Sequence, residues 1–144
     1  MQDRFEAFVT GINICYKFIQ KIKTTEMTKF NLKGIHAMCI YFLQRNEDGL
    51  TAAQLSRLCS EDKAAISRGL STLSEQGYIE SGEKKYRDKI KLTQKGKELG
   101  EYVNEHIRQW VISGGNGLTE EERNTFYRVL SLISDNLRIN IEQI

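Results

Sequence analysis

The chain contains no proline among its 144 residues. Proline interrupts helices because it lacks a backbone N–H and its ring clashes with the preceding turn, and average proteins contain about 5% of it. Its absence excludes proline-rich linkers and predicts a mostly helical protein. The length is typical of one domain. Hydrophobic residues at 40% and charged residues at 28% are ordinary for a globular protein and argue against disorder.

The apolar residues are arranged in runs that are too short for a membrane span. The longest uninterrupted run, Ala37–Leu43, has seven residues, whereas a span needs about 20. The first residues include Asp3, Arg4 and Glu6, so the chain lacks the basic start and apolar core of a secretion signal. We therefore expect a cytoplasmic protein without a membrane partner.

The residues that usually carry catalysis or bind metals form no recognisable site in the sequence. Cys15, Cys39 and Cys59 are odd in number and widely spaced, which argues against a disulfide framework or a metal knuckle. His36 and His106 have no serine or cysteine elbow beside them, and no glycine-rich phosphate loop follows a strand. We expect no enzyme activity, no cofactor and no metal.

Helical spacing of apolar residues predicts two helices in the first third of the chain. From Phe5 to Ile22 they recur every three or four positions, which predicts a helix ending near Lys23 and a polar connection over 24–29. A second stripe begins at Leu32 and predicts a helix that ends around Asn46, before a turn at Asp48-Gly49.

Two short helices follow. Thr51 is a predicted N-cap for a helix of about two turns, and residues 58–62 interrupt the apolar pattern. A second helix runs from about Asp62 to Gln76, and Gly77 ends it. Gly69 lies inside that helix, where glycine costs about 1 kcal/mol relative to alanine, so we expect close packing there.

The spacing changes after Gly77. Tyr78–Glu80 and Ile90–Leu92 are predicted strands of a hairpin with a basic loop between them. Thr93 is the predicted cap of the next helix, which ends before a glycine-rich break at 113–117. Thr119 and Glu122 predict a capping box, with two reciprocal bonds to backbone amides, at the start of the last helix. Two short helices followed by a basic hairpin are the outline of a winged helix-turn-helix.

The basic charge is concentrated in this central region. The whole chain has a net charge of +2, but residues 57–97 contain ten Lys or Arg against six Asp or Glu. The rest of the chain contains eleven against thirteen. A basic stripe suits a phosphate backbone, because neutralising phosphates releases counterions. Lysines on a hairpin also protect a solvated strand edge against aggregation, so this alternative stays open.

The helix from Asp62 to Gln76 has a polar face that fits a DNA groove. Ile66, Leu70 and Leu73 share the core side of this helix. Short polar side chains and an arginine enter the major groove without clashing, and arginine reads guanine bidentately. The other face carries Lys63, Ala64, Ser67, Arg68, Ser71 and Thr72.

Several short motifs, in matching order over nearly the whole chain, resemble the MarR family of bacterial transcriptional regulators. These motifs are Leu50-Thr51-x-x-x-Leu55, Ile66-Ser67-Arg68 with Leu73, Gly77-Tyr78-Ile79, Ile90-x-Leu92-Thr93-x-x-Gly96 and Leu118-Thr119-x-Glu121-Glu122. The resemblance implies a homodimer with intertwined first and last helices that binds double-stranded DNA at a pseudo-palindromic operator. It also implies a ligand- or condition-responsive repressor.

The resemblance divides the chain into a helical dimerisation region, 1–30 and 98–144, and a DNA-binding lobe, 31–97. The base contacts that it implies lie on the polar face of the second short helix, and Gln54 on the preceding helix joins the expected DNA contacts. The implied wing contacts are Lys84, Lys85 and Arg87. Family members commonly carry Asp-x-Arg in the wing, whereas this chain has Lys84 and Tyr86 there, so Arg87 or Lys85 is the expected minor-groove residue.

A small-molecule effector pocket is also implied, with Tyr16, His36, Ile40 and Trp110 as candidate lining residues; core packing is the alternative for these side chains. Cys15 and Cys39 lie on apolar stripes and are predicted to be buried hydrophobes. Cys59 precedes the second short helix, whose N-terminal dipole would lower its pKa and make it a redox-sensitive thiol.

A protein-interaction module that no longer binds DNA is the alternative function. The missing Asp-x-Arg and the acidic pair Glu61-Asp62 motivate it.

Overall fold

The computed structural model describes residues 3–80 and 88–144. Helices dominate these residues, which confirms the mainly helical fold class. In chain order the α-helices are α1 (Arg4–Met27), α2 (Gly34–Gln44), α3 (Ala52–Cys59), α4 (Lys63–Glu75), α5 (Gln94–Ser113) and α6 (Glu120–Glu142), and a 3₁₀ turn (Thr28–Phe30) follows α1.

The chain divides into two compact units, Met1–Trp110 and Val111–Ile144. The first unit contains the hydrophobic core, where side chains of α2, α3, α4 and α5 are buried together with Met27 at the end of α1. The functional division at residues 30 and 97 stays a prediction. The largest fully buried side chains of this core are Met27, Ile40, Leu55, Ile66, Leu73 and Cys39.

Helix α1 is longer than the sequence pattern predicted. It ends at Met27 rather than near Lys23, so the predicted polar connection over 24–29 is wrong. The reason is local: the Thr24 hydroxyl donates to the Gln20 carbonyl at 2.9 Å, and Thr28 donates to Thr24 at 2.6 Å. Polar residues that bond to the preceding turn remain compatible with a helix.

The turn between α2 and α3 follows the prediction closely. Helix α2 ends at Gln44, two residues before the predicted end, and Gly49 has φ +93° as a turn glycine. The Thr51 hydroxyl accepts from the Gln54 amide at 3.1 Å, and the Gln54 side chain accepts from the Thr51 amide at 2.9 Å. This capping box starts α3 where the sequence placed it.

Helices α3 and α4 form the helix-turn-helix. Ser60 ends α3 in the left-handed region with φ 54°, and the Asp62 carboxylate caps α4 by accepting from the Ala65 amide at 2.7 Å. Gly77 ends the second helix with φ +80°, as predicted. The Tyr78 amide donates to the Leu73 carbonyl at 2.9 Å, and this bond completes a Schellman motif.

Short antiparallel pairings follow α4. Ile79 pairs with Leu92 and Leu50 pairs with Ile90, so the two predicted strands are present as isolated bridges. The Glu80 amide donates to the Lys91 carbonyl at 3.0 Å. The residues between them, 81–87, lie outside the described residues.

The second unit consists of a glycine-rich turn and α6. The Arg123 guanidinium donates to the Gly115 carbonyl at 2.9 Å and holds the turn. The Glu122 amide donates to Thr119 as predicted, but the Glu122 carboxylate accepts from the Thr119 hydroxyl at 3.2 Å instead of the backbone amide. The predicted capping box is therefore only half formed.

Candidate nucleic-acid interface

One side of α4 is buried and the opposite side is exposed, as the spacing predicted. Ile66, Gly69 and Leu73 are buried, and Leu70 packs against the core. A helix brings residues three and four apart onto one face, so the outward side chains form a continuous stripe. The exposed members of the predicted set are Lys63, Ala64, Ser67, Arg68 and Ser71.

Two predicted contacts are more enclosed than the rest. Thr72 is half-buried at the edge of the outward face of α4. Gln54 is half-buried on α3, and its side-chain oxygen already accepts the Thr51 amide. Its amide NH₂ group is therefore the part of Gln54 with donors left for a DNA acceptor.

The N-terminal end of α4 is acidic. Asp62 caps the helix, and both Glu61 and Asp62 are exposed. Carboxylates at a helix N-terminus are stabilised by the helix dipole. A phosphate close to this end would be repelled, so the usable part of the face begins at Lys63 and extends toward Ser71.

The structure also describes basic residues beside the short antiparallel pairing and at the start of α5. Lys89, Lys91 and Lys97 are exposed. Lys95 has a structural role, because its ammonium donates to the Gln76 carbonyl at 2.6 Å and lies 4.4 Å from the Tyr78 ring centre. The predicted wing contacts Lys84, Lys85 and Arg87 lie outside the described residues.

The four candidate pocket residues lie in different surroundings. Ile40 is fully buried in the core, and His36 is buried with its Nδ1 accepting the Lys33 amide at 2.8 Å. Burial lowers the pKa of His36, and the Lys33 charge acts in the same direction. Tyr16 and Trp110 are 63% and 55% exposed. An effector pocket lined by these four residues stays a prediction.

Solved structures share this fold. A MarR protein from Peptoclostridium difficile matches with a TM-score of 0.82 at 17% identity, over 97% of this chain and 94% of that chain. A MarR family regulator from Listeria monocytogenes, complexed with a 26mer DNA, matches with a TM-score of 0.78 at 19% identity, over 97% and 92%. Staphylococcus aureus MarR, in complex with salicylate and kanamycin, matches with a TM-score of 0.73 at 19% identity, over 91% and 90%.

Residues 30–85, which contain α2, α3 and α4, match the family model described as MarR family. Over these residues the chain resembles the MarR family. No curated protein matches it in sequence. The match covers the helix-turn-helix, so the polar face of α4 lies inside the matched segment.

Two of the three cysteines differ from their predicted environments. Cys39 is buried as expected, but Cys15 is exposed, as are Phe8 and Ile12 of the same α1 stripe. Cys59 is the last residue of α3 and does not lie at a helix N-terminus, so the predicted dipole effect is wrong. The pKa of Cys59 is lowered chiefly by a hydrogen bond from the Cys39 thiol, with a smaller contribution from Lys23.

Sequence reasoning missed a polar link between α1 and α5. Glu26 accepts from the Tyr102 hydroxyl at 2.6 Å and from the Trp110 indole at 3.0 Å. The Tyr102 bond is the main reason that the pKa of Glu26 is below its usual value. Lys29 lies 4.0 Å from the Tyr102 ring centre, and His106 stacks on that ring at 4.0 Å. No local pattern joins residues this far apart in sequence.

Two further findings concern the residues that the structure describes. Within 3–80 and 88–144, no group of three His, Cys, Asp or Glu side chains is arranged to hold a metal ion. In the same ranges, no helix is both long and apolar enough to cross a membrane.

Proposed function

We propose that this protein is a DNA-binding transcriptional regulator and that α4 is its recognition helix. The observation that carries the proposal is the exposed stripe of small polar and basic side chains on α4, opposite a face that is fixed in the core. A helix held in this way presents its outer face with a defined orientation. The MarR regulator from Listeria monocytogenes with the same fold was solved with DNA, which supports this function.

The proposed contacts follow from side-chain chemistry. Arg68 has the fork geometry for the O6 and N7 acceptors of guanine in the major groove. Ser67 and Ser71 donate to bases or phosphates, and the methyl group of Ala64 suits the methyl group of thymine. Lys63 neutralises a phosphate. In the proposal, Gln54, Thr72 and the wing residues Lys84, Lys85 and Arg87 add contacts around this centre.

We infer a homodimer as the working unit. Along α6 no residue is buried, although its side chains include Phe126, Tyr127, Leu132 and Leu137, all at least half exposed. Apolar patches of this kind mark interfaces, and an isologous dimer covers them on both copies. A twofold dimer would present two α4 helices to half-sites roughly 34–36 Å apart on a pseudo-palindromic operator.

Repression by occupancy of an operator, relieved by a small molecule or a change of condition, completes the proposal. Salicylate and kanamycin are bound by the Staphylococcus aureus MarR of the same fold. A ligand that prefers one spacing of the two recognition helices shifts the population between DNA-competent and DNA-incompetent states. A promoter–reporter fusion tests this part, since deletion of the protein is expected to raise expression of the regulated gene.

The main experiment measures binding of the full chain to its own upstream DNA by fluorescence anisotropy at several salt concentrations. We expect Arg68→Ala to weaken binding by about 1–3 kcal/mol and to relax sequence preference. A variant with alanine in place of Lys84, Lys85 and Arg87 is expected to bind all DNA sequences more weakly. Its affinity is also expected to depend less on salt concentration. Arg108→Ala is the matched control, because it removes an exposed arginine from α5.

The outcomes separate DNA binding from the alternative function. Equal losses of DNA affinity for Arg68→Ala and Arg108→Ala would contradict recognition of DNA by α4. Binding that is insensitive to salt and to both sets of substitutions would favour a winged-helix protein-interaction module without DNA binding. The acidic pair Glu61-Asp62 is the feature that favours this alternative.

Dimerisation has its own test. Sedimentation equilibrium is expected to give a dimer at micromolar concentration. Leu132→Glu places a charge on the exposed apolar side of α6 and is expected to shift the equilibrium toward monomer. A stable wild-type monomer would refute the homodimer.

A further inference from the structure

The C-terminal end of α4 is bonded to the first residues of α5. Three consecutive backbone carbonyls at this end, those of Gln76, Gly77 and Tyr78, each accept a hydrogen bond from the same short segment. The Thr93 hydroxyl donates to the Gly77 carbonyl at 2.6 Å, and the Thr93 amide donates to the Tyr78 carbonyl at 3.1 Å. The Lys95 ammonium donates to the Gln76 carbonyl at 2.6 Å. These three bonds form the α4–α5 clasp.

Lys95 is the charged member of this clasp, and two contacts fix its ammonium. Besides bonding to the Gln76 carbonyl, the ammonium faces the ring of Tyr78, whose centre lies 4.4 Å away. Tyr78 is buried, so the core holds this ring in place. The last carbonyls of a helix lack partners within the helix and form the negative end of its dipole, which a cation stabilises. The last turn of α4, 72–75, contains no basic residue, and Lys95 supplies the cation from α5.

The clasp is remote from the proposed base contacts. A recognition helix reads base edges with residues near its N-terminus. Gln76 follows Arg68 by two helical turns, which corresponds to about 12 Å along the axis of α4. Glu75, the last residue of α4, is exposed, and its carboxylate disfavours a phosphate at this end. Lys95 therefore lies where its ammonium stabilises the helix end and is distant from the bases.

We propose that Lys95 is a positioning residue for DNA recognition. Its bond to the Gln76 carbonyl holds α4 in the orientation in which Arg68 reaches a base, and its charge does not neutralise a phosphate. This statement rests on the proposed function, because it takes α4 as the recognition helix. It separates Lys95 from the other basic residues of 57–97, for which the sequence favours binding to the phosphate backbone.

The length of helix between the clasp and Arg68 makes base recognition sensitive to small movements. Over that length, a change of about 5° in the direction of α4 displaces Arg68 relative to Gln76 by about 1 Å. A bidentate contact needs N···O distances of about 2.7–3.2 Å, so a displacement of this size breaks it. Attraction between basic side chains and phosphates does not require this geometry. Loss of the Lys95 bond is therefore expected to weaken binding to the correct sequence more than binding to other sequences.

The main test uses fluorescence anisotropy with two DNA duplexes of equal length and composition, the chain's own upstream region and a scrambled version of it. Lys95→Met removes the ammonium and keeps an unbranched apolar stem. We expect it to weaken binding to the upstream duplex about five- to tenfold, and binding to the scrambled duplex by less than about twofold. The slope of log affinity against log salt concentration is expected to stay the same, whereas loss of a phosphate contact lowers it by about 1.

Two further variants separate the charge of Lys95 from its hydrogen bond. Lys97→Met removes an exposed lysine from the same turn of α5, and we expect it to change binding to both duplexes by the same factor. Lys95→Arg keeps the charge and a donor, and it is expected to bind the upstream duplex within about twofold of the wild type. Equal losses on both duplexes for Lys95→Met, a lowered salt slope, or unchanged affinity for the upstream duplex would each overturn the proposal. A Lys95→Arg variant as weak as Lys95→Met would also overturn it.

A double substitution tests whether Lys95 acts through Arg68. The effects of two distant substitutions on affinity normally multiply within about twofold. A positioning residue loses its effect when the contact that it positions is absent. In the Arg68→Ala background we therefore expect Lys95→Met to change binding to the upstream duplex by less than about twofold. A full loss of about five- to tenfold in that background would show that Lys95 acts independently of Arg68 and would contradict the positioning role.

Hydrogen exchange of the free protein tests the effect of Lys95 on α4 without DNA. The amides of Gln76, Gly77 and Tyr78 donate to carbonyls in the last turns of α4, so they exchange when this end opens. We expect Lys95→Met to speed their exchange about threefold or more, and Lys97→Met to leave it unchanged. Unchanged exchange in Lys95→Met would overturn the clasp as a constraint on α4. Failure of the wild type to distinguish the two duplexes would instead overturn the proposed function, and the exchange rates would still decide whether Lys95 holds the end of α4.

Discussion

Gly69 on α4 gives a prediction whose sign follows from the local packing. A Cβ at this position would lie 3.7 Å from the His36 ring and 3.9 Å from the Ile35 side chain, which are ordinary contacts. Close packing at this point therefore does not require glycine, contrary to the expectation from sequence. Alanine removes the entropic cost of glycine in the middle of a helix, so Gly69→Ala is expected to raise the free energy of unfolding by about 0.5–1 kcal/mol.

Gly96 on α5 is the matched case, in which alanine is expected to lower the free energy of unfolding. A Cβ there would lie 2.0 Å from the Tyr78 carbonyl oxygen, which is part of the backbone and accepts the Thr93 amide at 3.1 Å. The backbone must shift and this hydrogen bond is weakened. Overpacking costs about 1–3 kcal/mol and the bond about 0.5–1.5 kcal/mol, so we expect Gly96→Ala to destabilise by about 2–4 kcal/mol.

Urea unfolding followed by far-ultraviolet circular dichroism measures both effects at one fixed protein concentration, because association makes the midpoint concentration-dependent. For a denaturant slope of about 2 kcal/mol/M, Gly69→Ala shifts the midpoint upward by about 0.3–0.5 M. Its DNA affinity is expected to stay within about twofold of the wild type, because the new methyl group faces α2. A lower midpoint for Gly69→Ala, or an unchanged one for Gly96→Ala, would refute the packing argument.

Three further substitutions test single interactions. Because the pKa of His36 is lowered in the folded protein, the unfolded chain binds the proton more readily, and stability is expected to fall as pH decreases below about 6.5. His36→Gln can still accept the Lys33 amide and should reduce this slope in thermal unfolding; an unchanged slope contradicts the assignment. Tyr102→Phe removes a bond to Glu26, and the pKa of Glu26, followed by carboxyl NMR, is expected to rise toward its ordinary value. An unchanged pKa of Glu26 would show that the Tyr102 hydrogen bond does not cause its low value. Asp62→Ala is expected to cost about 0.5–2 kcal/mol of unfolding free energy, whereas Asp62→Asn keeps a capping oxygen, and equal losses would exclude capping as the cause.

Local signals in the sequence were sufficient for most helix boundaries. Thr51 and Thr119 start α3 and α6, and Gly77 ends α4, because capping bonds join residues only three to five positions apart. The outward face of α4 was also predictable, since helical spacing alone separates Ile66 and Leu73 from the polar side. The end of α1 was not, because polar residues alone do not stop a helix.

These local signals did not predict contacts between residues that are distant in the sequence. Cys15 was considered only by its place on an apolar stripe, so it was wrongly expected to be buried. The bond from Trp110 to Glu26 joins residues 84 positions apart. An apolar stripe predicts which side of a helix is hydrophobic, but it does not identify what covers that side.

The absence of proline, the caps and the apolar spacing by themselves determined a helical chain in which α4 has one apolar side and one polar side with Lys63 and Arg68. These features act within about one helical turn, so the sequence shows them directly. Only the tertiary structure decided that Glu26 accepts from both Tyr102 and Trp110, because these bonds depend on how α1 packs against α5. The proposed DNA-binding face is therefore a property of one helix, whereas the Glu26 hydrogen bonds are a property of two.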